Sequence, residues 1–448
     1  MYLKKLRLQN IKCFEDVTLE FPHKGGDYSG WVVLVGENGT GKSTLVRAVA
    51  EVIIELADSS WIYDDEWVSQ CAQAGSIEGT LCGTRFDDPR LRGGGAERFP
   101  SAGINKQLTL RSIIEHPPLK RHARTNLPVI ENTPGWLACG YGPFRRLGAS
   151  MAPVRPGHDP FLTLLLDDVG ITEPFEWLKR MYGKSLDPKV KDNKRLREDF
   201  PLIVEVINRL LPKSVQVEDV STEAVRFVTI GDARVGAHGL SDGFRSFLAL
   251  AVDLLMRVYQ ATDRFSKYLS SELESGLTQI TAEGIVLIDE ADAHLHPSWQ
   301  RELKDRLCRV FPKIQFIVTT HSPFIAQEAT DDGLFVLTRA ENGSVTVEQP
   351  IDSVRGWTAS QILTSPLFGL DSTRDPETES LVQETTALTS KEKAGKLTAV
   401  AKQRLSVVRD LLTKTLSAPG ETYDEMRQHQ DMDDYVQETL KRLKNGKP

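Results

Sequence analysis

The chain has 448 residues, 40% of them hydrophobic, and a formal net charge of -7. That is enough apolar material for a substantial core, and the acidic balance excludes a protein coated in basic surface for nucleic acid while leaving room for a local basic patch. Cys13, Cys71, Cys82, Cys139 and Cys308 are scattered with no C-x-x-C pair, so they read as reduced thiols and neither a disulfide framework nor a zinc site. No signal-peptide core and no apolar run of about 18 residues appears, so the expected compartment is the cytoplasm, without a membrane partner.

In chain order, residues 2–21 alternate around Lys12-Cys13-Phe14 and predict two short strands. A loop over 23–30 leads to the apolar run Val32–Val35, a buried strand, and residues 43–57 place Leu45, Ala48, Val49, Ile53 and Ile54 on one helical face. Residues 58–135 predict short strands, such as one around Leu108-Thr109-Leu110, and long connections, with Gly93-Gly94-Gly95 at a loop tip. Trp136–Arg146 reads as a strand entering a tight turn that carries Arg145 and Arg146. A helical pattern covers 160–211, short strands follow at 215–220 and 225–230, and a strongly apolar helix covers 244–259. Residues 260–280 are expected to be a polar, charged helical insertion. Strands at Ile285–Ile288 and Ile314–Val318 flank a helix over 298–310, an edge hairpin follows at 334–349, and a polar helical appendage begins at 351. There is no internal repeat and no heptad run long enough for an extended coiled coil.

Between the Val32–Val35 strand and the next helix lies Gly36-Glu37-Asn38-Gly39-Thr40-Gly41-Lys42-Ser43-Thr44, the G-x-x-x-x-G-K-S spelling of a phosphate-binding loop. Glycines at 36, 39 and 41 let successive backbone N–H groups converge on an anion, and the helix adds its partially positive N-terminus. Lys42 can reach β- and γ-phosphates, and the Ser43 hydroxyl can ligate Mg²⁺. The later strand ends in Asp289-Glu290: Asp289 can hold Mg²⁺ opposite Ser43, and Glu290 can polarise an attacking water. His321 closes the next strand in Thr319-Thr320-His321-Ser322-Pro323, placed to meet a γ-phosphate or orient the water. Leu240-Ser241-Asp242-Gly243-Phe244-Arg245-Ser246 opens the apolar helix, with Ser241 as N-cap and Gly243 leaving the helix start open to an anion. Asp292, His294 and His296 stand beside Pro297 at a helix start, and a metal reading of them is set aside.

In this order, phosphate loop, L-S-x-G segment, strand-D-E and strand-H resemble the ATP-binding-cassette (ABC) ATPases. Leu8-Gln9-Asn10-Ile11-Lys12-Cys13-Phe14 and Gly36-Glu37-Asn38-Gly39 resemble the non-transporter branch related to DNA-repair and chromosome-maintenance ATPases. The resemblance covers roughly 1–60 and 235–340. It implies an α/β ABC-ATPase P-loop fold with a mixed central sheet, an inserted helical lobe and a helical C-terminal appendage. The expected organisation is an ATPase lobe from 1–155 and 241–350, an inserted lobe at 156–240, and the appendage at 351–448. The family binds ATP and Mg²⁺ between two protomers. Ser241, Asp242, Gly243 and Arg245 of one copy would then face the γ-phosphate held by Gly36–Ser43 of the other, with Asp292 at the dimer seam and Glu290 and His321 catalytic. Asp242 stands where transporters usually carry glycine, and no clear glutamine loop is present; Tyr141–Arg146 is the nearest candidate, its arginines either approaching phosphate or lying in solvent.

Residues 340–448 lack the acidic pattern of a fused toprim nuclease. The stretch from Gly356 to Leu370, followed by Arg374-Asp375-Pro376-Glu377-Thr378-Glu379, resembles stand-alone bacterial ATPases encoded beside HNH nucleases, with the Septu-type anti-phage ATPase subunit nearest. That resemblance implies a homodimer or higher homo-oligomer whose tail docks a separate HNH-type nuclease; a packing role for Trp357 and Phe368 is the alternative. A DNA-repair ATPase clamping DNA in its ATP-bound dimer is the competing expectation. It draws on the basic runs Lys189, Lys191, Lys194, Arg195, Arg197 and Lys120, Arg121, Arg124, which otherwise read as solvated faces.

Overall fold

In the computed structural model the described residues are 1–55, 67–84 apart from 70, 71 and 73, 107–115, 137–145, 160–171 apart from 168, 174–271 apart from 230, 232 and 263, and 278–415 apart from 331, 351 and 352. The expectations for Cys71, the 93–95 glycines, Lys120, Arg121, Arg124, Trp136, Arg146 and residues 416–448 lie outside them. Strands β1 (Tyr2–Ile11) and β2 (Phe14–Glu20) pair antiparallel as expected, and β3 (Gly30–Gly36) runs into helix α1 (Lys42–Glu55). β4 (Ala74–Cys82) and β5 (Gln107–Glu115) complete an antiparallel sheet in the order β2-β1-β4-β5. After β6 (Ala138–Tyr141) come α2 (Leu162–Leu165), α3 (Pro174–Leu186) and α4 (Asn193–Leu210). A small sheet of β7 (Val215–Val220), β8 (Val225–Thr229) and β9 (Arg234–Gly236) precedes the long helix α5 (Asp242–Ala261).

The helical insertion expected over 260–280 is a correction. β10 (Leu269–Ser271) pairs with β11 (Thr278–Ile280) as a hairpin. Phe265, Tyr268 and Leu269 have helical spacing, but the chain makes only a single turn over Phe265–Tyr268 before extending, and strand pairing together with core contact of Leu269 and Ile280 overrides that spacing. Next come β12 (Gly284–Ile288), α6 (Pro297–Gln300), α7 (Leu303–Val310), β13 (Ile314–Thr319) and α8 (Pro323–Gln327). β14 (Leu334–Arg339) and β15 (Val345–Glu348) form the expected hairpin. They are followed by α9 (Ala359–Leu363), α10 (Pro376–Lys393) and α11 (Ala399–Thr415).

The central sheet has the order β15-β14-β3-β13-β12-β6, all parallel except for β15 at its edge. Strands covered on both faces read as continuous apolar runs, and their side chains divide by parity. Val32, Leu34, Ile285, Leu287 and Ile317 join the core under α1 and the antiparallel sheet. Val33, Val35, Val286, Ile288, Phe316 and Val318 join the core under α5 and the helical lobe. Among the described residues no helix is long and apolar enough to cross a membrane.

The chain divides into two compact units, Met1–Gly369 and Leu370–Pro448. The appendage expected from 351 therefore starts at Leu370. Val354, Ile362 and Leu367 are buried in the core of the first unit, and Trp357 and Phe368 pack against it, so this stretch is held by apolar contact. In the second unit α10 and α11 lie against one another, with Arg404 paired to Glu384 and Arg409 to Glu392.

One buried polar network crosses the larger core. Asp253 of α5 pairs with Arg257 one turn on (2.6 Å) and accepts a hydrogen bond from the Tyr141 hydroxyl of β6 (2.8 Å). Burial, then the Asp253 carboxylate, pushes the Tyr141 phenol well above its ordinary range. Asp253→Ala strands the Arg257 charge and the tyrosine hydroxyl without their carboxylate; urea unfolding is expected to show a loss of about 3–5 kcal/mol.

Candidate nucleotide-binding site

Four loops meet at the carboxyl ends of adjacent parallel strands, where α/β sheets place their ligands. They leave β3 at Gly36, β12 at Ile288, β13 at Thr319 and β6 at Tyr141. The loop after β3 has the left-handed glycines its spelling requires. A Cβ on Gly36 (φ 151°) would fall 2.5 Å from the Leu337 carbonyl oxygen, and one on Gly41 (φ 88°) 2.7 Å from the Phe14 ring. Glu37, Asn38 and Gly39 are exposed at the rim while Thr40 is buried, its hydroxyl donating to the Glu37 carbonyl at 2.8 Å. Lys42 is buried and donates to the carbonyls of Gly36 (2.8 Å) and Glu37 (2.9 Å). Burial lowers its pKa, opposed by Asp289, Glu290 and Asp292. Ser43 and Thr44 follow half-buried on the first turn of α1.

Asp289, 2% exposed, accepts the Thr319 hydroxyl at 2.5 Å. The same hydroxyl oxygen accepts the Glu290 backbone N–H at 2.7 Å, so one threonine fixes both acids. Glu290 itself has a left-handed backbone (φ 47°), rare for a residue with a side chain. Burial, followed by Asp289 and Asp292, raises its carboxyl pKa above the ordinary glutamate range. His321 is half-buried, and its pKa is lowered by burial and then by the Lys42 charge, which keeps the imidazole neutral at pH 7. Its backbone N–H (3.1 Å) and the Thr320 hydroxyl (2.6 Å) both donate to Asp292. Thus one oxygen of the residue expected at a dimer seam is engaged within its own chain.

Arg145 does not lie in solvent, one of its two expectations. It is buried and donates to the backbone carbonyls of Asp289 (2.9 Å) and Glu290 (2.8 Å). Sequence reasoning named Arg145 without this role and quoted Thr319 only as part of the His321 segment. The signal for Thr319 was present, a hydroxyl ending one apolar strand beside another that ends in two acids. Arg339, from the end of β14, also donates to the Gly39 carbonyl of the phosphate loop, and nothing in the sequence marks it.

Ser241 occupies the N-cap position of α5, but its hydroxyl makes no capping bond, contrary to expectation; Ser241 and Asp242 are exposed, and Arg245 pairs with Asp242. Gly243 is tightly placed, since a Cβ there would lie 2.4 Å from the His294 carbonyl oxygen. Of the basic run on the helical lobe, Arg195 is tied to Asp199 and lies over Tyr259, and Arg197 donates to the Ser185 carbonyl. Lys189, Lys191 and Lys194 of that run are exposed, with no side-chain ion pair among the described residues. Among the described residues no cluster of three or more His, Cys, Asp or Glu could hold a metal. A Mg²⁺ held by the Ser43 hydroxyl and the Asp289 carboxylate needs no such cluster, because these hard oxygen donors are completed by phosphate oxygens and water.

Fold and site together define an α/β P-loop fold of the ABC type. Residues 173–326 match a family of AAA domains described as putative AbiEii toxin, Type IV TA system, and residues 5–53 match a second AAA-domain family. The chain is similar to the Septu protein PtuA of Bacillus mycoides, 28% identical over 82% of this chain and 45% of that protein. It therefore spans less than half the length of that relative. It is also similar to the Retron Vc95 probable ATPase of Vibrio cholerae, 35% identical over 23% of this chain and 18% of that protein. Among solved structures, the SMC head domain from Thermotoga maritima aligns over 79% of this chain and all of that chain at 15% identity, with a TM-score of 0.39.

Thr319→Val keeps the shape of the strand end but leaves the Glu290 N–H and an Asp289 oxygen unpaired. Thermal unfolding is expected to register a loss of about 1–3 kcal/mol.

Proposed function

We propose that the chain hydrolyses ATP with Mg²⁺ at a site shared by two copies, and that this ATPase controls a separate HNH-type nuclease subunit in defence against phage. The observation that carries the ATPase reading is the convergence of Lys42, Asp289, Glu290 and His321 at neighbouring strand ends. In this reading the N–H groups of Gly36–Thr44 cradle the phosphates, and Lys42 exchanges its loop carbonyls for β- and γ-phosphate oxygens. Ser43 and Asp289 hold Mg²⁺, which would neutralise charge on the β- and γ-oxygens. Glu290 takes a proton from the attacking water, a role suited to a carboxyl whose pKa is raised towards neutrality. Neutral His321 orients the water or donates to the γ-phosphate.

The second half of the site comes from the partner copy. Ser241 and Asp242 are exposed, and the start of α5 lacks a cap of its own, which suits a helix terminus presented to the phosphate across a dimer. Arg245 and Gly243 belong to this contact and Asp292 to the seam. The Septu and retron names of the relatives support the defence role, and the 370–448 unit is the segment assigned to nuclease docking. Deleting 370–448, which spares the core contacts of 353–369, is expected to abolish co-purification with the neighbouring nuclease; unaltered co-purification rejects the docking role.

Lys42→Ala is expected to weaken ATP binding by about 10- to 100-fold, read by titration calorimetry. Glu290→Gln is expected to keep binding but lose about 10²- to 10⁴-fold in turnover. Lys42→Ala mixed with Ser241→Arg should recover turnover that neither variant has alone, because a mixed dimer contains one intact composite site. No recovery, with mixed dimers demonstrated, rejects the shared site.

The pH dependence follows from the sign of the Glu290 shift. A base must be deprotonated to work, so the rate is expected to rise with pH through a midpoint above that of an ordinary glutamate. Single-turnover rates of wild type show this acid limb, and Glu290→Gln lacks it.

A further inference from the structure

Arg145 is an expensive residue to bury. At 2% exposure its guanidinium has lost its water, and desolvation lowers its pKa to about 10 despite the nearby Asp292, Asp289 and Glu290 charges. An aliphatic side chain would fill the same space without that cost. What an aliphatic side chain lacks is the planar fork, whose two nitrogens here grip two successive carbonyls, Asp289 at 2.9 Å and Glu290 at 2.8 Å.

Those carbonyls open a turn in which two residues with side chains, Glu290 and His294, have left-handed backbones. Glu290 has φ 47°, a conformation that is strained for a residue with a Cβ and persists only where its surroundings over-determine it. Thr319 takes the Glu290 N–H on its hydroxyl and the Ala291 N–H on its carbonyl (2.8 Å), which fixes the two N–H groups of the turn. Its carbonyls are held by the Ala293 N–H, which donates to Glu290 at 2.9 Å, and by Arg145, which donates to Glu290 and to the preceding Asp289. The segment carrying Arg145 is itself anchored at its other end. The Tyr141 carbonyl accepts the Asp289 N–H at 2.8 Å, and the Tyr141 hydroxyl is bonded to Asp253 of α5. Tyr141–Arg145 therefore clasps the catalytic turn from both sides.

We propose that Arg145 is the positioning residue of this ATPase: by gripping the carbonyls of Asp289 and Glu290 it holds the Glu290 backbone in its left-handed form and so aims the carboxylate at the water. Its two terminal nitrogens are engaged by backbone carbonyls, so the expected effect is on kcat and not on ATP affinity. The catalytic part rests on the ATP-hydrolysis reading above; the backbone part does not.

The test uses the full chain with Arg145→Lys, which keeps the charge but replaces the planar two-nitrogen fork with a single nitrogen, and Arg145→Met, which fills the space without charge. Hydrogen exchange and ATPase kinetics are measured on both and on wild type. Arg145→Lys is expected to exchange its amides over 289–293 about 10-fold faster while the 314–319 amides stay as in wild type. Its kcat is expected to fall about 10- to 100-fold with KM for ATP within about threefold of wild type. Wild-type exchange over 289–293 in either variant overturns the proposal, as does a KM that rises while kcat holds, which would mean a phosphate contact. If Arg145→Met fails to fold, Arg145→Lys decides alone. A wild type that turns over no ATP counts against the ATPase reading, and the exchange data still decide whether Arg145 holds the turn.

Discussion

The site depends on β13 lying between β3 and β12 in one register. Val318 stands opposite Val33 on one side and Ile288 on the other, so the three strands end together. The Thr319 hydroxyl then reaches Asp289 and the Glu290 N–H, and the Thr320 N–H reaches the Leu34 carbonyl at the root of the phosphate loop. A slip of one residue would turn Thr319 to the opposite face and move Phe316 and Ile317 into each other's cores. Both faces of the sheet are buried, so the two sets of apolar side chains jointly forbid that slip. The chemistry is aligned by packing far from it.

Charge is arranged on this frame in a deliberate order. Two buried cations, Lys42 and Arg145, face three carboxylates, Asp289, Glu290 and Asp292. Asp289 accepts a hydrogen bond from Thr319, and Asp292 accepts from Thr320 and the His321 N–H. No side-chain hydrogen bond to the Glu290 carboxylate appears among the described residues, and it is the acid whose pKa is raised. Like-charged neighbours with unequal hydrogen bonding separate an electrostatic holder from a base, which is how two adjacent acids can do different work.

Motifs whose chemistry is local were legible in the sequence. Gly36–Thr44 works through its own backbone, and the strand-acid pattern at Ile288-Asp289-Glu290 needs only a buried strand and its end, so both could be read residue by residue. The small sheet β7-β8-β9 was two-thirds visible, because β7 and β8 alternate and β9 is only three residues long. The 260–280 hairpin and the true end of the first unit were not visible. Both depend on single apolar residues, such as Ile280 or Leu367, meeting a core assembled from distant segments. Arg145 was noticed but misplaced, since the cost of burying it is repaid by carbonyls that lie far along the chain. Ser241 shows the converse: its residue type favours capping, yet its hydroxyl is not spent on its own helix.

The Asp253–Arg257–Tyr141 network has its place in the same logic. A buried ion pair adds little net stability over a well-packed apolar alternative, because desolvation consumes most of the Coulombic gain. What it adds is a penalty for misalignment. Any roll of α5 about its axis that parted Asp253 from the Tyr141 hydroxyl would leave an ionised group unpaired in the core. α5 starts at the exposed Ser241 and Asp242, Tyr141 lies on β6 opposite Ile288, and the Tyr141 carbonyl takes the Asp289 N–H. The helix that opens at Ser241 and strand β6, which pairs with the strand ending in Asp289 and Glu290, are thus held in one rotational setting by groups that tolerate no slack.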